Sequence, residues 1–231
     1  MIDQWTSHGF AVVAWDCPHH GRSSRIGERG HALSPLRVSE PELVADAISL
    51  VGVARRAHPH SPLLLAGESL GGGLALRLAP LVHPAAVCTI GGLVPTRATR
   101  ARFAAVGAML GGARMMRTAA QSPIIAWRQA WRDPLVAKRP PPLSAARCHR
   151  DLVRRTTYAC VPCPVLAMVG ERDRVYPPLA TTRCLFACQS LPPLDRVCVV
   201  VEGATHDLVG GCERVGETSA LFFRWKMGSR C

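Results

Sequence analysis

The chain has 231 residues, of which 48% are hydrophobic, and a formal net charge of +12 at pH 7. This length and apolar content suit one globular domain with a sizeable core and room for an inserted subdomain. No apolar run is long enough to span a bilayer, the N-terminus lacks the basic and apolar regions of a signal peptide, and the 10 cysteines are too sparse for a disulfide-dense scaffold. We therefore expect a cytoplasmic protein.

The positive charge comes almost entirely from arginine. The basic residues are 26 arginines and 2 lysines, and the arginines are spread from Arg22 to Arg230. A nucleic-acid-binding surface usually clusters lysine with arginine. The spread favours a compositional bias, so no specific nucleic-acid partner is expected. A true attraction to anionic surfaces, including peripheral contact with an anionic membrane, stays open as the alternative.

Five short apolar runs, each bounded by turn residues, predict β-strands. They are near-continuously apolar, which is typical of strands buried on both faces of a parallel sheet. In chain order the predicted strands are Phe10–Asp16, Pro62–Ala66, Ala85–Ile90, Pro164–Val169 and Arg196–Val201.

Helical patterns alternate with these strands. Pro41 suits the first turn of the helix that follows it. The alternation predicts an α/β fold with a mostly parallel sheet and flanking helices. The predicted helices are Glu42–Ala57, Leu70–Leu81, Leu179–Gln189 and Glu217–Met227.

Residues 95–160 interrupt this alternation. The segment contains no strand candidate, indicates several short helices, and carries a proline run at 140–142. It is too long for a plain loop in a compact domain. The sequence therefore predicts a helical cap at 95–160, inserted into a core formed by residues 1–94 and 161–231.

The stretch Gly67-Glu68-Ser69-Leu70-Gly71 matches G-x-S-x-G. It follows a predicted strand and opens a predicted helix, as a nucleophile elbow requires. Gly67 and Gly71 would let neighbouring backbone approach the strained serine turn without a Cβ clash. The N–H of Leu70, at the helix N-terminus, would stabilise a developing oxyanion. Ser69 as a small residue that only turns the chain is the alternative.

A serine hydroxyl is a poor nucleophile unless a base takes its proton. In this arrangement the acid and then the histidine follow later in the chain. Asp173 and His206 each follow a predicted strand in that order, where parallel sheets place their sites. We expect His206 to act as general base and Asp173 to orient its imidazole, with Glu171 as the substitute acid.

Cys160 and Cys163 form a C-x-x-C pair. A second pair, or a histidine pair at zinc-finger spacing, is missing from the sequence. Several other cysteines lie in apolar runs, where cysteine acts as a small hydrophobic residue. No metal and no cofactor are therefore expected.

Together these features resemble the α/β-hydrolase fold, and most closely the monoacylglycerol lipase and lysophospholipase-like group of serine hydrolases of the serine aminopeptidase S33 type. The resemblance implies hydrolysis of a small-molecule acyl ester or lipid, such as a monoacylglycerol, beneath a cap that shapes an apolar acyl site. The apolar run at 103–116 favours acyl lipids, but an ordinary apolar core of the cap explains it equally well. A triad alone does not separate an esterase from a peptidase, thioesterase or acyltransferase. The stretches that carry the resemblance to this group are "GFAVVAWDCPHHGRSS", "PELVADAISLV", "SPLLLAGESLGGG", "WRDPLVAKRPPPLSAARCHRDLVRR", "PVLAMVGERDRVYP" and "VEGATHDLV".

The sequence departs from this group in two ways. His19 stands where the group has glycine. The N-terminal strands of the group, with the His-Gly loop that supplies a second oxyanion donor, are missing, so the chain is expected to be N-terminally incomplete. The strands at 10–16 and 62–66 would then pair directly or leave backbone groups unsatisfied. The alternative function is a catalytically impaired relative that serves as a basic binding or scaffold protein.

Overall fold

The structure, a computed structural model, describes residues 1–16, 39–91, 148, 151–152, 155, 158–209 and 214–228. These residues form one parallel sheet with the strand order β1-β2-β3-β4. Four of the five predicted strands are confirmed, with small shifts in their bounds. The strands are β1 (Leu64–Glu68), β2 (Ala86–Ile90), β3 (Val165–Gly170) and β4 (Arg196–Val201).

Burial follows the position of each strand in the sheet. Every residue of β2 and β3, the two central strands, is buried. In β1 and β4, which form the edges of the described sheet, most residues are half-buried. The continuous apolar composition thus reflects burial on both faces at the centre of the sheet.

The predicted strand at Phe10–Asp16 is wrong. Residues 11–16 form no strand, and all of them except Val12 are exposed. Within the described residues this segment does not pair with β1, so the expected direct pairing of the two strands does not occur. An apolar run forms a strand only beside another strand, and the described residues place none next to it.

The predicted helices are confirmed with modest shifts in their bounds. A helix that was not predicted, α1 (Ile2–Ser7), precedes them. Ser39 caps the first of the confirmed helices in a capping box with Glu42, which satisfies otherwise unpaired backbone groups. The confirmed helices are α2 (Glu40–Ala57), α3 (Leu70–Val82), α4 (Pro178–Phe186) and α5 (Arg214–Gly228).

The N-terminal segment packs against the C-terminal helix α5. Trp5 donates its indole N–H to the hydroxyl of the buried Ser219 at 2.8 Å. The rings of Phe10 and Phe223 meet edge to face, with centroids 6.1 Å apart. Helix α1 therefore packs on α5, and Phe10 ends the packed part of the N-terminal segment.

The predicted cap at 95–160 lies mostly outside the described residues, as does His19. Near its C-terminal end, Cys148 and Leu152 are buried against α2 and α3. Tyr158 belongs to a second core cluster, with residues of α3 and β3. The cap and the domain bounds remain predictions.

None of the described helices is both long and apolar enough to cross a bilayer.

Candidate active site

Ser69 occupies the sharp turn between β1 and α3. Its backbone has φ 49° and ψ −111°, a conformation that is strained for any residue with a side chain. The Ser69 N–H donates to the carbonyl oxygen of Ile90 at 2.8 Å, and the Ser69 carbonyl accepts from the N–H of Gly73 at 3.2 Å. Neighbouring β2 and the first turn of α3 thus hold the strained turn in place.

The glycines around Ser69 differ in what they provide. A Cβ on Gly67 would lie 2.2 Å from the carbonyl carbon and oxygen of Gly71, so only glycine fits there. A Cβ on Gly71 would meet no atom within 4 Å. The prediction that a side chain would clash therefore holds for Gly67 and not for Gly71. The backbone that passes close to Gly67 is that of Gly71. Gly72 is also tight, since its Cβ would lie 3.0 Å from the Gly67 oxygen.

The structure brings Ser69, His206 and Asp173 together in one hydrogen-bonded chain. His206 Nε2 lies 2.9 Å from Ser69 Oγ. His206 Nδ1 lies 2.9 Å from Asp173 Oδ2. The two ring nitrogens of one imidazole thus bridge a hydroxyl and a carboxylate, although the residues lie on three separate loops.

Asp173 is held firmly in this position. Its side chain is fully buried, and its second oxygen, Oδ1, accepts the backbone N–H groups of Val175 and Tyr176, both at 2.8 Å. These bonds leave Oδ2 for the imidazole. A buried carboxylate with both oxygens hydrogen-bonded is well suited to fix the orientation of a histidine ring.

The loop that carries His206 packs tightly against two glycines. A Cβ on Gly170 would lie 2.2 Å from the carbonyl oxygen of Thr205, and one on Gly91 would lie 2.9 Å from that of His206. Gly91 also has φ +63°, which favours glycine. Both glycines follow or end a central strand, a position that could have marked them in the sequence.

The substitute acid, Glu171, has a different partner. Its Oε2 accepts the backbone N–H of Gly203 at 2.8 Å. The Glu171 N–H donates to the carbonyl oxygen of Val201 at 2.9 Å. Because the imidazole of His206 is bonded to Asp173 instead, the geometry favours Asp173 as its carboxylate partner.

Sequence reasoning missed two side chains beside this chain of hydrogen bonds. The ring of Tyr176 lies against His206, with centroids 5.5 Å apart, and burial raises the pKa of its hydroxyl, with a further contribution from the charge of Asp173. Burial also raises the pKa of Glu68, whose Oε1 accepts the N–H of Val209 at 3.0 Å. Glu68 fills a variable position of G-x-S-x-G, so the motif gave no signal for it.

The arrangement can pass a proton from the hydroxyl to the imidazole while the carboxylate stabilises the resulting positive charge. Leu70 begins α3, so its N–H is one of the N-terminal groups that the helix does not pair. It lies next in sequence to Ser69, where an oxyanion would form. Within the described residues, no group of histidine, cysteine, aspartate or glutamate side chains is suited to hold a metal ion.

The C-x-x-C pair, Cys160 and Cys163, differs from this site in its environment. Cys160 is exposed and Cys163 is buried, and neither forms a disulfide. Cys163 packs in the core cluster that also contains Tyr158.

Solved structures resemble this fold over nearly the whole chain. A monoacylglycerol lipase from Paleococcus ferrophilus is 23% identical with a TM-score of 0.69, covering 98% of this chain and 87% of that one. A lipase in its open form is 14% identical with a TM-score of 0.77, covering 97% and 84%. A thermostable carboxyl esterase from Bacillus coagulans, in complex with glycerol, is 17% identical with a TM-score of 0.69, covering 96% and 83%. These likenesses show the α/β-hydrolase fold.

Sequence comparison adds the family. A search of curated protein sequences finds no significant match. The family described as serine aminopeptidase, S33, matches residues 1–213, which is most of the chain. The protein is therefore a hydrolase that belongs to the serine aminopeptidase S33 family.

Proposed function

We propose that this hydrolase cleaves carboxylic esters through Ser69, His206 and Asp173. The observation that carries the proposal is the unbroken chain of hydrogen bonds, with 2.9 Å on each side of the imidazole. The strained backbone of Ser69 adds support, because such strain persists where the surrounding structure enforces it and clusters at active sites.

In the proposed reaction, Ser69 Oγ attacks the ester carbonyl carbon and gives its proton to His206 Nε2. Asp173 stabilises the imidazolium, and the Leu70 N–H donates to the tetrahedral oxyanion. The C–O bond to the alcohol breaks, and the alcohol leaves with the proton from His206. Water then attacks the acyl-enzyme, with His206 as base, and releases the acid and free Ser69.

The substrate class that we propose is a monoacylglycerol or a lysophospholipid-like acyl ester. Its support is the fold shared with structures named as a monoacylglycerol lipase and as a carboxyl esterase bound to glycerol. The family description names an aminopeptidase, so the assay should compare ester and amide substrates. Hydrolysis of p-nitrophenyl esters of increasing chain length, beside amino-acid p-nitroanilides, separates these classes.

The test of the mechanism is labelling by a fluorophosphonate probe, which reacts with activated serines. We expect the wild type and Ser61→Ala to be labelled and Ser69→Ala to be unlabelled. Ser61 is an exposed serine before β1, so its variant is a matched control. Labelling that persists in folded Ser69→Ala would show that another residue is the nucleophile. A folded wild type without labelling or esterase activity would instead support the basic binding or scaffold function.

A further inference from the structure

Two glutamates reach the loop that carries His206, here called the His206 loop (residues 202–209). Glu171 Oε2 accepts the N–H of Gly203 at 2.8 Å, and Glu68 Oε1 accepts the N–H of Val209 at 3.0 Å. Gly203 lies three residues before His206, and Val209 lies three residues after it. The two carboxylates therefore hold the two ends of the loop.

Each glutamate lies close in sequence to one of the two residues that His206 bonds, Ser69 and Asp173. Glu68 directly precedes Ser69, and Glu171 lies two residues before Asp173. Backbone bonds reinforce the second attachment, since the N–H of Arg172 donates to the carbonyl oxygen of Ala204 at 2.8 Å. Two carboxylate-to-backbone contacts thus link the segments of Ser69 and Asp173 to the His206 loop.

Placing Glu68 here carries a cost. Burial is the main cause of its raised pKa, and the nearby charge of Asp207 raises the pKa further. The backbone N–H of Val209, the nearby charge of His206 and the backbone N–H of Leu208 lower the pKa. A partly buried carboxylate is unfavourable unless such bonds compensate it, and the N–H of Val209 supplies one of them.

We propose that Glu68 and Glu171 are positioning residues that fix the His206 loop and so hold the imidazole between Ser69 and Asp173. The functional consequence rests on the proposed function of His206 as the base. Glu68 has the larger effect, because the bond of Glu171 is exposed and water competes for it. Proton transfer is sensitive to such alignment, since a small misplacement lowers the rate steeply.

The kinetic test compares Glu68→Ala, Glu68→Gln and Glu202→Gln in ester hydrolysis. Glu68→Ala removes the acceptor for the Val209 N–H, and we expect kcat to fall about tenfold with little change in KM. Glu68→Gln keeps an acceptor oxygen and should recover most of the rate. Glu202 is an exposed glutamate of the same loop, so Glu202→Gln controls for the loss of one negative charge.

A proton NMR measurement of the imidazole reads the position of His206 without any turnover. The Nδ1–H proton bonded to Asp173 should give a downfield signal in the wild type, in Glu68→Gln and in Glu202→Gln. The signal should weaken or broaden in Glu68→Ala. It should change less in Glu171→Ala, because that variant loses only an exposed hydrogen bond. Glu171→Ala replaces Glu68→Ala in the test if Glu68→Ala does not fold.

The two readouts separate the two proposals. Loss of the NMR signal in Glu68→Ala, in a protein that hydrolyses no ester, would support the positioning role while the proposed function fails. An unchanged signal and unchanged kcat in folded Glu68→Ala would overturn the positioning role while the proposed function stands. A Glu68→Gln variant as impaired as Glu68→Ala would also overturn it, because an acceptor oxygen would then not be sufficient.

Discussion

Two apolar runs of similar composition, "FAVVAWD" at 10–16 and "RVCVVV" at 196–201, have different structures. The second is β4, whose six residues pair in parallel with β3 from Arg196 to Val201. Residues 11–16 pair with none of the described strands and are mostly exposed. Phe10, at the start of this run, is packed against Phe223 of α5.

The difference shows what local composition leaves undecided. Both runs carry the β-branched and aromatic residues that suit a pleated surface, and this preference depends on context. A strand also needs an adjacent strand to accept and donate its backbone hydrogen bonds. Run 196–201 has β3 beside it, and residues 11–16 have no such neighbour among the described residues, so only the first becomes part of the sheet.

Proline substitution at matched alanines gives the largest expected contrast between the two regions. Ala167 lies at the centre of β3 and is paired with both Thr89 and Cys198, so Ala167→Pro removes a ladder N–H and should cost about 3 kcal/mol or more. Ala14 is exposed and has no backbone hydrogen bond within the described residues, so Ala14→Pro should change stability by less than about 1 kcal/mol.

Urea unfolding of both variants measures these free energies. Ala167→Pro is expected to be unfolded or to have a much lower midpoint, whereas Ala14→Pro should unfold close to the wild type. Comparable losses in the two variants would mean that residues 11–16 form a ladder of their own, and the comparison between the two runs would be wrong.

The order of elements could be predicted from the sequence wherever the pattern reflects burial. Strands β1 to β4 and helices α2 to α5 are predicted because each has an apolar face or run that the core requires. Helix α1 was missed, since its six residues contain no buried side chain and its position depends on Trp5 and Phe10 meeting α5. Such long-range contacts leave no local pattern.

Substitution of one glycine in each region tests the same contrast between the packed sheet and the N-terminal segment. Gly67, at the end of β1, has no room for a Cβ, which would meet the backbone of Gly71 at 2.2 Å, so Gly67→Ala should cost about 3 kcal/mol. Gly9, in the N-terminal segment, has open space but φ +85°, so Gly9→Ala should cost about 1 kcal/mol from backbone strain alone. Urea unfolding distinguishes the two values.

Gly71→Ala provides the control for this pair. Its Cβ would meet no atom within 4 Å, and alanine favours a helix more than glycine does, so the variant should be as stable as the wild type or more stable. If Gly67→Ala were no more destabilising than Gly71→Ala, the close approach of backbones at the serine turn would be wrong.

The proposed site was partly visible in the sequence for a simple reason. Ser69, Asp173 and His206 each follow a strand, and the carboxyl ends of parallel strands meet at one edge of the sheet. The contacts of Glu68 and Glu171 could not be predicted, because each carboxylate bonds to backbone N–H groups of a distant loop. The sequence identifies which side chains can accept a hydrogen bond, but it does not identify the backbone N–H that each one bonds.

The smallest expected contrast comes from truncating matched valines. Val169 in β3 is fully buried, so Val169→Ala removes apolar surface, leaves a small cavity, and should cost about 2 kcal/mol. Val13 is 43% exposed, so Val13→Ala should change stability by less than about 0.5 kcal/mol. Measuring both by urea unfolding tests side-chain packing separately from backbone pairing. A loss in Val13→Ala as large as that in Val169→Ala would place residues 11–16 against an apolar surface and remove the distinction between the two runs.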